Sequence, residues 1–163
     1  MIRKLTKADD RSGFTCGVAE LDLYFREKAW QHQRRHVSMT YVAADTDQVL
    51  GYVTVCPGTV IRTDSEVHLR HMPPFALPIL LVARLAVSVD ARGGRNGAHL
   101  LRYAVGLAPD LAGMVGCVGV VVDAKANSAS FYEKYGFEPI ATMPFPPHPR
   151  LFLPLSAVPA SKG

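Results

Sequence analysis

From Ile79 to Val87 the chain is almost wholly apolar. It then passes through the loop Arg92-Gly93-Gly94-Arg95-Asn96-Gly97 and resumes as a helical pattern at Ala98. A run that apolar and that short implies a strand buried on both faces, at the centre of a sheet. Ala98, Leu100, Leu101, Ala104, Val105 and Ala108 fall on one broad helical face, and Pro109 reads as the end of that helix. Strand, glycine-rich turn and helix N-terminus in this order make an anion cradle, because the turn's N–H groups and the positive end of the helix dipole converge on one spot. The spot is expected to hold a coenzyme pyrophosphate. Arg84 interrupts the apolar run and requires either a partner or an exit to solvent.

The elements around this unit decide the fold class. Ile2–Leu5 reads as a first strand. Val18, Leu21, Phe25 and Ala29 recur at spacings of three and four, predicting one or two short helices between Val18 and His36. The basic end of that segment, with Arg34 and Arg35, reads either as a solvated helix end or as a contact for a substrate phosphate. Met39–Asp45 and Val49–Arg62 read as a hairpin turning at Asp45-Thr46-Asp47-Gln48. Thr63–Pro78 is irregular and rich in proline; its His68 and His71 lack third and fourth partners, so no metal site is expected. Cys117–Val122 is a second buried strand. Asn127 or Ser128 then caps a helix over Ala129–Tyr135 that ends at Gly136, and Phe137–Ala141 and Leu151–Leu155 are the last strands. The order is that of a mixed α/β sheet. It is not doubly wound, since the phosphate loop comes late and after an antiparallel hairpin.

The 163 residues suit one domain, expected over 1–155 with a flexible tail over 156–163. Eighteen basic against fourteen acidic residues leave a net charge of +4, which serves solubility and also suits a polyanionic cofactor or substrate. Three scattered cysteines form neither a disulfide framework nor a zinc pattern and fit a reducing cytoplasm. The N-terminus lacks the apolar core of a secretory signal, and Phe75–Val87 is too short for a membrane span. A cytoplasmic protein with no membrane partner is expected.

Arg84-Leu85-Ala86-Val87, the loop from Arg92 to Ala98, and Ala129-Ser130-Phe131-Tyr132-Glu133-Lys134-Tyr135-Gly136-Phe137 resemble the GNAT acetyltransferase family. Phe14-Thr15-Cys16-Gly17 with Leu21-Asp22, the Gly51-Tyr52 strand and Leu153-Pro154-Leu155 resemble more narrowly the acetyltransferase toxins of toxin–antitoxin pairs. The resemblance implies a central, mostly antiparallel sheet with splayed fourth and fifth strands, flanked by helices. It implies acetyl-CoA as donor. Backbone groups of Leu85, Ala86 and Val87 would pair with the pantetheine arm, and Arg92, Gly93, Gly94, Arg95, Asn96, Gly97 and Ala98 would hold the pyrophosphate. Tyr132 would be the general acid toward the departing sulfur, and Asn127 would orient cofactor or water. Arg95 stands where the family has glycine, so it either adds a guanidinium to the phosphates or crowds them.

The toxin branch acetylates the amino group of aminoacyl-tRNA and blocks translation. On that resemblance Arg84, Arg34 and Arg35 are candidates for contact with tRNA, a ribbon-helix-helix antitoxin is the expected partner, and a homodimer would double the basic surface. Two alternatives stand beside this reading. One is a GNAT enzyme acting on a small-molecule or protein amine; the other is a catalytically weak GNAT-fold binding module.

Overall fold

The computed structural model describes residues 1–46, 48–125, 127–144 and 146–159, and for Glu66 the backbone alone. Residues 160–163 of the expected tail lie outside the described residues. By internal contacts the chain divides into two compact units: Met1–Cys56 with Ala83–Ala104, and Pro57–Val82 with the chain from Val105 onward.

The first unit is built on the hairpin of β2 (Met39–Asp45) and β3 (Gln48–Val60), with β1 (Ile2–Lys4) antiparallel to β2. The turn is as the sequence indicates, with Thr46 at φ 44°. Thr40 and Thr54 face each other across the hairpin, and their buried hydroxyls satisfy one another at 2.8 Å. The helical spacing after Val18 produces three consecutive segments: α1 (Ala19–Leu23), a π-helical turn (Tyr24–Lys28) and α2 (Ala29–Arg34). They bring Phe25 onto Tyr52, the two rings stacking at 4.5 Å, with Phe14 edge-on to both. Leu5, Val42 and Ala86 complete this core.

β4 (Leu77–Val87) starts two residues before the expected Ile79 and passes from the second unit into the first. A short 3₁₀ turn (Val89–Ala91) leads to the loop and to α4 (Asn96–Val105). The helix ends at Val105, whose carbonyl would have accepted from the N–H that Pro109 lacks. The chain does not leave the helical region there: Gly106 keeps φ −64° and ψ −15°, and a new helix, α5 (Leu107–Met114), carries Pro109 in its first turn. There the missing N–H would have had no intrahelical acceptor, so proline is tolerated.

In the second unit, α3 (Glu66–Leu69) gives the irregular proline-rich segment one helical turn. β5 (Gly119–Asp123) runs parallel to β4 and antiparallel to β7 (His148–Pro154), which pairs with β6 (Glu138–Met143). Val60, Leu69, Leu77, Ile79, Val121 and Phe152 form its core. Gly119 has no room for a side chain: a Cβ would meet the Leu153 carbonyl oxygen and, at 2.6 Å, the Phe152 ring. α6 (Ala129–Glu133) is shorter than the sequence suggests. Ser128 is its N-cap but accepts no side-chain hydrogen bond, and Gly136 follows at φ +93°. The sheet order is β1-β2-β3-β4-β5-β7-β6, a mixed sheet with flanking helices.

Candidate functional site

The parallel ladder between β4 and β5 pairs Leu80, Leu81 and Val82 with Val120, Val121 and Val122. β4 continues beyond it to Val87. Ala83–Val87 therefore offers backbone N–H and C=O groups that the β5 ladder does not use, on a strand that leads to the glycine-rich loop. Such an edge can accept an amide-bearing ligand as if it were another strand. On the other side β3 fixes this part of β4 closely. A Cβ on Gly51 would lie 2.8 Å from the Ala86 carbonyl oxygen and 2.9 Å from Leu100 Cδ1, so only glycine allows the approach. The Ser88 N–H donates to the Leu50 carbonyl at 2.8 Å and holds the strand end in place.

The loop is open. Arg92, Gly93, Gly94 and Arg95 are exposed, and Gly93 adopts φ +83° with nothing near the position of a Cβ. The first hydrogen bond of α4 runs from the His99 N–H to the Arg95 carbonyl at 2.9 Å. The N–H groups of Asn96, Gly97 and Ala98 precede that bond in the helix, so they belong to its donor-rich first turn. Arg95 itself is exposed, so the side chain that replaces the family's glycine is not packed into the protein. A pyrophosphate fits these residues.

Arg92 behaves differently. Its guanidinium donates to the Cys16 carbonyl, beside Gly17 at φ +90°. The segment carrying Cys16 is fixed in turn: the Asp22 carboxylate accepts from the Cys16 N–H at 2.7 Å and from Thr15 Oγ1 at 3.2 Å, and Arg26 Nε donates to the Phe14 carbonyl at 3.0 Å. The early motif Phe14–Gly17 with Asp22 thus anchors one end of the loop. Arg92 contributes its side chain to that anchor, leaving its backbone to the cradle. A cavity of about 210 Å³ nearby is lined by Asp10, Gln48, Ser88 and Asp90 among others. Its two carboxylates disfavour an anion, so the loop is the better phosphate site.

In the second unit Tyr132 lies on α6, 5% exposed, packed edge-on against Phe131 and Phe137. Burial pushes its phenol up to about 12. It therefore keeps its proton throughout the neutral range, as a proton donor must. Asn127 is exposed ahead of this helix. Arg34 and Arg35 are exposed at the end of α2. The partner Arg84 required is Tyr24: the guanidinium carbon sits 3.7 Å from the centre of its ring. No motif marks Tyr24 in the sequence; the available signal was the lone cation in an apolar strand. Among the described residues no group of three or more metal-ligating side chains gathers, and no helix is long and apolar enough to cross a membrane.

Residues 36–139 match the acetyltransferase (GNAT) domain. The chain belongs to the GNAT acetyltransferase family. Its members use acetyl-CoA as acyl donor, and the free β4 edge and the α4 cradle are the features of this acetyltransferase that suit a pantetheine amide and a pyrophosphate. The chain is 32% identical over 143 residues to a "tRNA-acetylating toxin" of Mycobacterium tuberculosis (strain ATCC 25618 / H37Rv), covering 87% of this chain and 86% of that protein. It is similar to the solved structure of AtaT complexed with acetyl-methionyl-tRNAfMet, with a TM-score of 0.86 and 27% identity over 97% of this chain and 96% of that one. It is also similar to a point mutant of the AtaT toxin bound to the C-terminus of the antitoxin AtaR, with a TM-score of 0.82 and 26% identity over 97% and 93% of the two chains.

Proposed function

We propose that this acetyltransferase is a toxin that acetylates the α-amino group of aminoacyl-tRNA and so blocks translation. The observation that carries the donor side is the stretch of β4 beyond Val82, unpaired by β5 and leading into the α4 cradle. The full-length likeness to tRNA-acetylating proteins supports the acceptor. When bound, acetyl-CoA supplies an acetyl group on a thioester. Leu85, Ala86 and Val87 would hold the pantetheine arm through their backbone and could offer a main-chain N–H to the thioester carbonyl. Gly93, Gly94, Arg95, Asn96, Gly97, Ala98 and the backbone of Arg92 would hold the pyrophosphate, and Asn127 would orient cofactor or water.

The acceptor amine attacks as the free base, forming the C–N bond as the C–S bond breaks. Tyr132 would give its proton to the departing sulfur and recover one from solvent, so that no net proton is consumed. An α-amino group has an ordinary pKa of roughly 8, so a usable fraction is already neutral and the excess proton leaves to solvent without a dedicated base. Arg34, Arg35 and Arg84 meet the tRNA. Residues 1–155 act as one catalytic domain with 156–163 as a tail, the enzyme works in the cytoplasm as a homodimer, and a ribbon-helix-helix antitoxin restrains it.

The test is transfer of labelled acetyl to a panel of charged tRNAs, with peptide and polyamine amines in parallel. Stable label on the aminoacyl amine of at least one tRNA is expected. Transfer only to the peptide or polyamine amines overturns the acceptor assignment.

A further inference from the structure

Arg84 is a cation seated where a simple strand residue would suffice. It is half-buried on β4, one residue before the stretch assigned to the pantetheine arm. Among the described residues no acidic side chain forms an ion pair with it. Its partner is the face of Tyr24, 3.7 Å away. That face offsets part of the cost of removing the charge from water. An aromatic face takes up none of the guanidinium's N–H donors as a hydrogen-bond acceptor would, so those donors stay available as a fork.

The platform is itself held firmly. Tyr24 is buried, and its hydroxyl lies 3.1 Å from His32 Nδ1 and 3.2 Å from Ser38 Oγ. The His32 ring packs edge-on against it at 5.4 Å. Tyr24 opens the π-helical turn between α1 and α2. Such turns are rare and concentrate at functional sites. His32 lies on α2, whose end carries the exposed Arg34 and Arg35. Arg84 directly precedes the stretch assigned to the pantetheine arm, so its forked donor stands beside the path of whatever chain carries the acceptor amine, and on an aminoacyl-tRNA that chain is a run of phosphodiesters.

We propose that Arg84, seated on Tyr24 and steadied by His32 and Ser38, grips a backbone phosphate in the single-stranded 3′ end of the acceptor RNA. Tyr24, His32 and Ser38 are positioning residues acting through Arg84. The proposal rests on the aminoacyl-tRNA reading above, but its test does not require acetyl transfer.

The experiment measures binding of uncharged tRNA, and of the same tRNA trimmed of its single-stranded 3′ end, across a salt series. Arg84→Met is expected to weaken binding of intact tRNA about tenfold. It should lower the slope of log affinity against log salt by about 0.7, the loss of one single-strand phosphate contact. On trimmed tRNA the variant and the wild type should bind alike. Tyr24→Leu should reproduce the Arg84→Met result, and Arg84→Lys should keep the salt slope while losing affinity. Equal affinity and slope for wild type and Arg84→Met on intact tRNA overturn the proposal, as does an equal loss on intact and trimmed RNA. If Tyr24→Leu proves unfolded by thermal melting, the Met and Lys variants at Arg84 decide alone. A wild-type enzyme that binds intact tRNA through Arg84 but acetylates no aminoacyl-tRNA overturns the catalytic reading and leaves this one standing.

Discussion

The two halves of β4 share one strand and do opposite work. In the half from Leu77 to Val82 the strand pairs with β5 over Leu80–Val82, and Leu77, Ile79, Leu80 and Val82 are each at most 4% exposed. From Ala83 to Val87 only Ala86 is buried, the β5 ladder has ended, and a cation replaces an aliphatic side chain. In the first half four of six side chains are buried and the β5 ladder is made. In the second, backbone groups and a charge are left available to a ligand. The difference teaches that a single strand can carry both roles when its neighbour ends early.

The sharpest way to break this comparison is to injure each half and measure the same quantity. Phe152→Ala, in the core against which the first half packs, should lower unfolding free energy by about 3–5 kcal/mol in urea melts. Arg84→Met, in the second half, should change it by less than about 1 kcal/mol. Equal losses would abolish the distinction.

Tyr132→Phe comes next. A lost general acid should reduce kcat about 10²-fold, equivalent to about 3 kcal/mol. The same variant sharpens the alkaline behaviour. With its phenol raised from the ordinary 10 to about 12, the folded state holds a proton that the unfolded state releases between those values. Stability should therefore fall as pH rises from 10 to 12, and Tyr132→Phe should flatten that part of the curve. An unchanged kcat in this variant would remove the acid assignment.

Gly51→Ala should cost about 1–3 kcal/mol by forcing β3 away from Ala86 and Leu100. It should also raise the KM for acetyl-CoA, because the strand that gives way is the half proposed to hold the pantetheine arm. A stability loss with an unmoved KM would detach Gly51 from the site.

The smallest effect lies far from β4. Arg3 hydrogen-bonds Asp9 at 2.7 and 2.9 Å and, with the Thr6 N–H and hydroxyl, holds the Asp9 carboxyl down to about 2. A folded pKa below the ordinary carboxylate value means the contribution is present above about pH 4 and is lost as pH falls through 2. The pair is largely solvent-screened, so Asp9→Asn should remove less than about 1 kcal/mol of acid-dependent stability. A larger effect would mark this corner of the first unit as part of its core.

Much of this was legible from local chemistry. The hairpin of β2 and β3 followed from two β-rich runs and a polar turn, and the cradle from glycines placed between an apolar run and a helical pattern. The continuation beyond α4 was not legible. Pro109 reads as a helix terminator, and α4 does end four residues before it, but a proline in the first turn of a new helix looks the same in sequence, so α5 was missed. The side-chain role of Arg92 was equally hidden. Its carbonyl partner on Cys16 is 76 residues away, and no pattern connects a cation to a backbone oxygen at that distance. Tyr24 escaped for the same reason, since its value depends on a strand that arrives sixty residues later.

The sequence by itself determined most of the strands and helices, that a glycine-rich loop leads from β4 into α4, and that Arg84 needed company. Those are consequences of periodicity, backbone dihedral preference and desolvation, which act within a few residues. Only the tertiary structure decided where the β5 ladder ends on β4, that Arg92 binds the Cys16 carbonyl, and that Arg84 lies on a tyrosine ring. Each of these depends on two distant segments meeting in one register, and register is fixed by packing across the whole sheet, which no local pattern encodes.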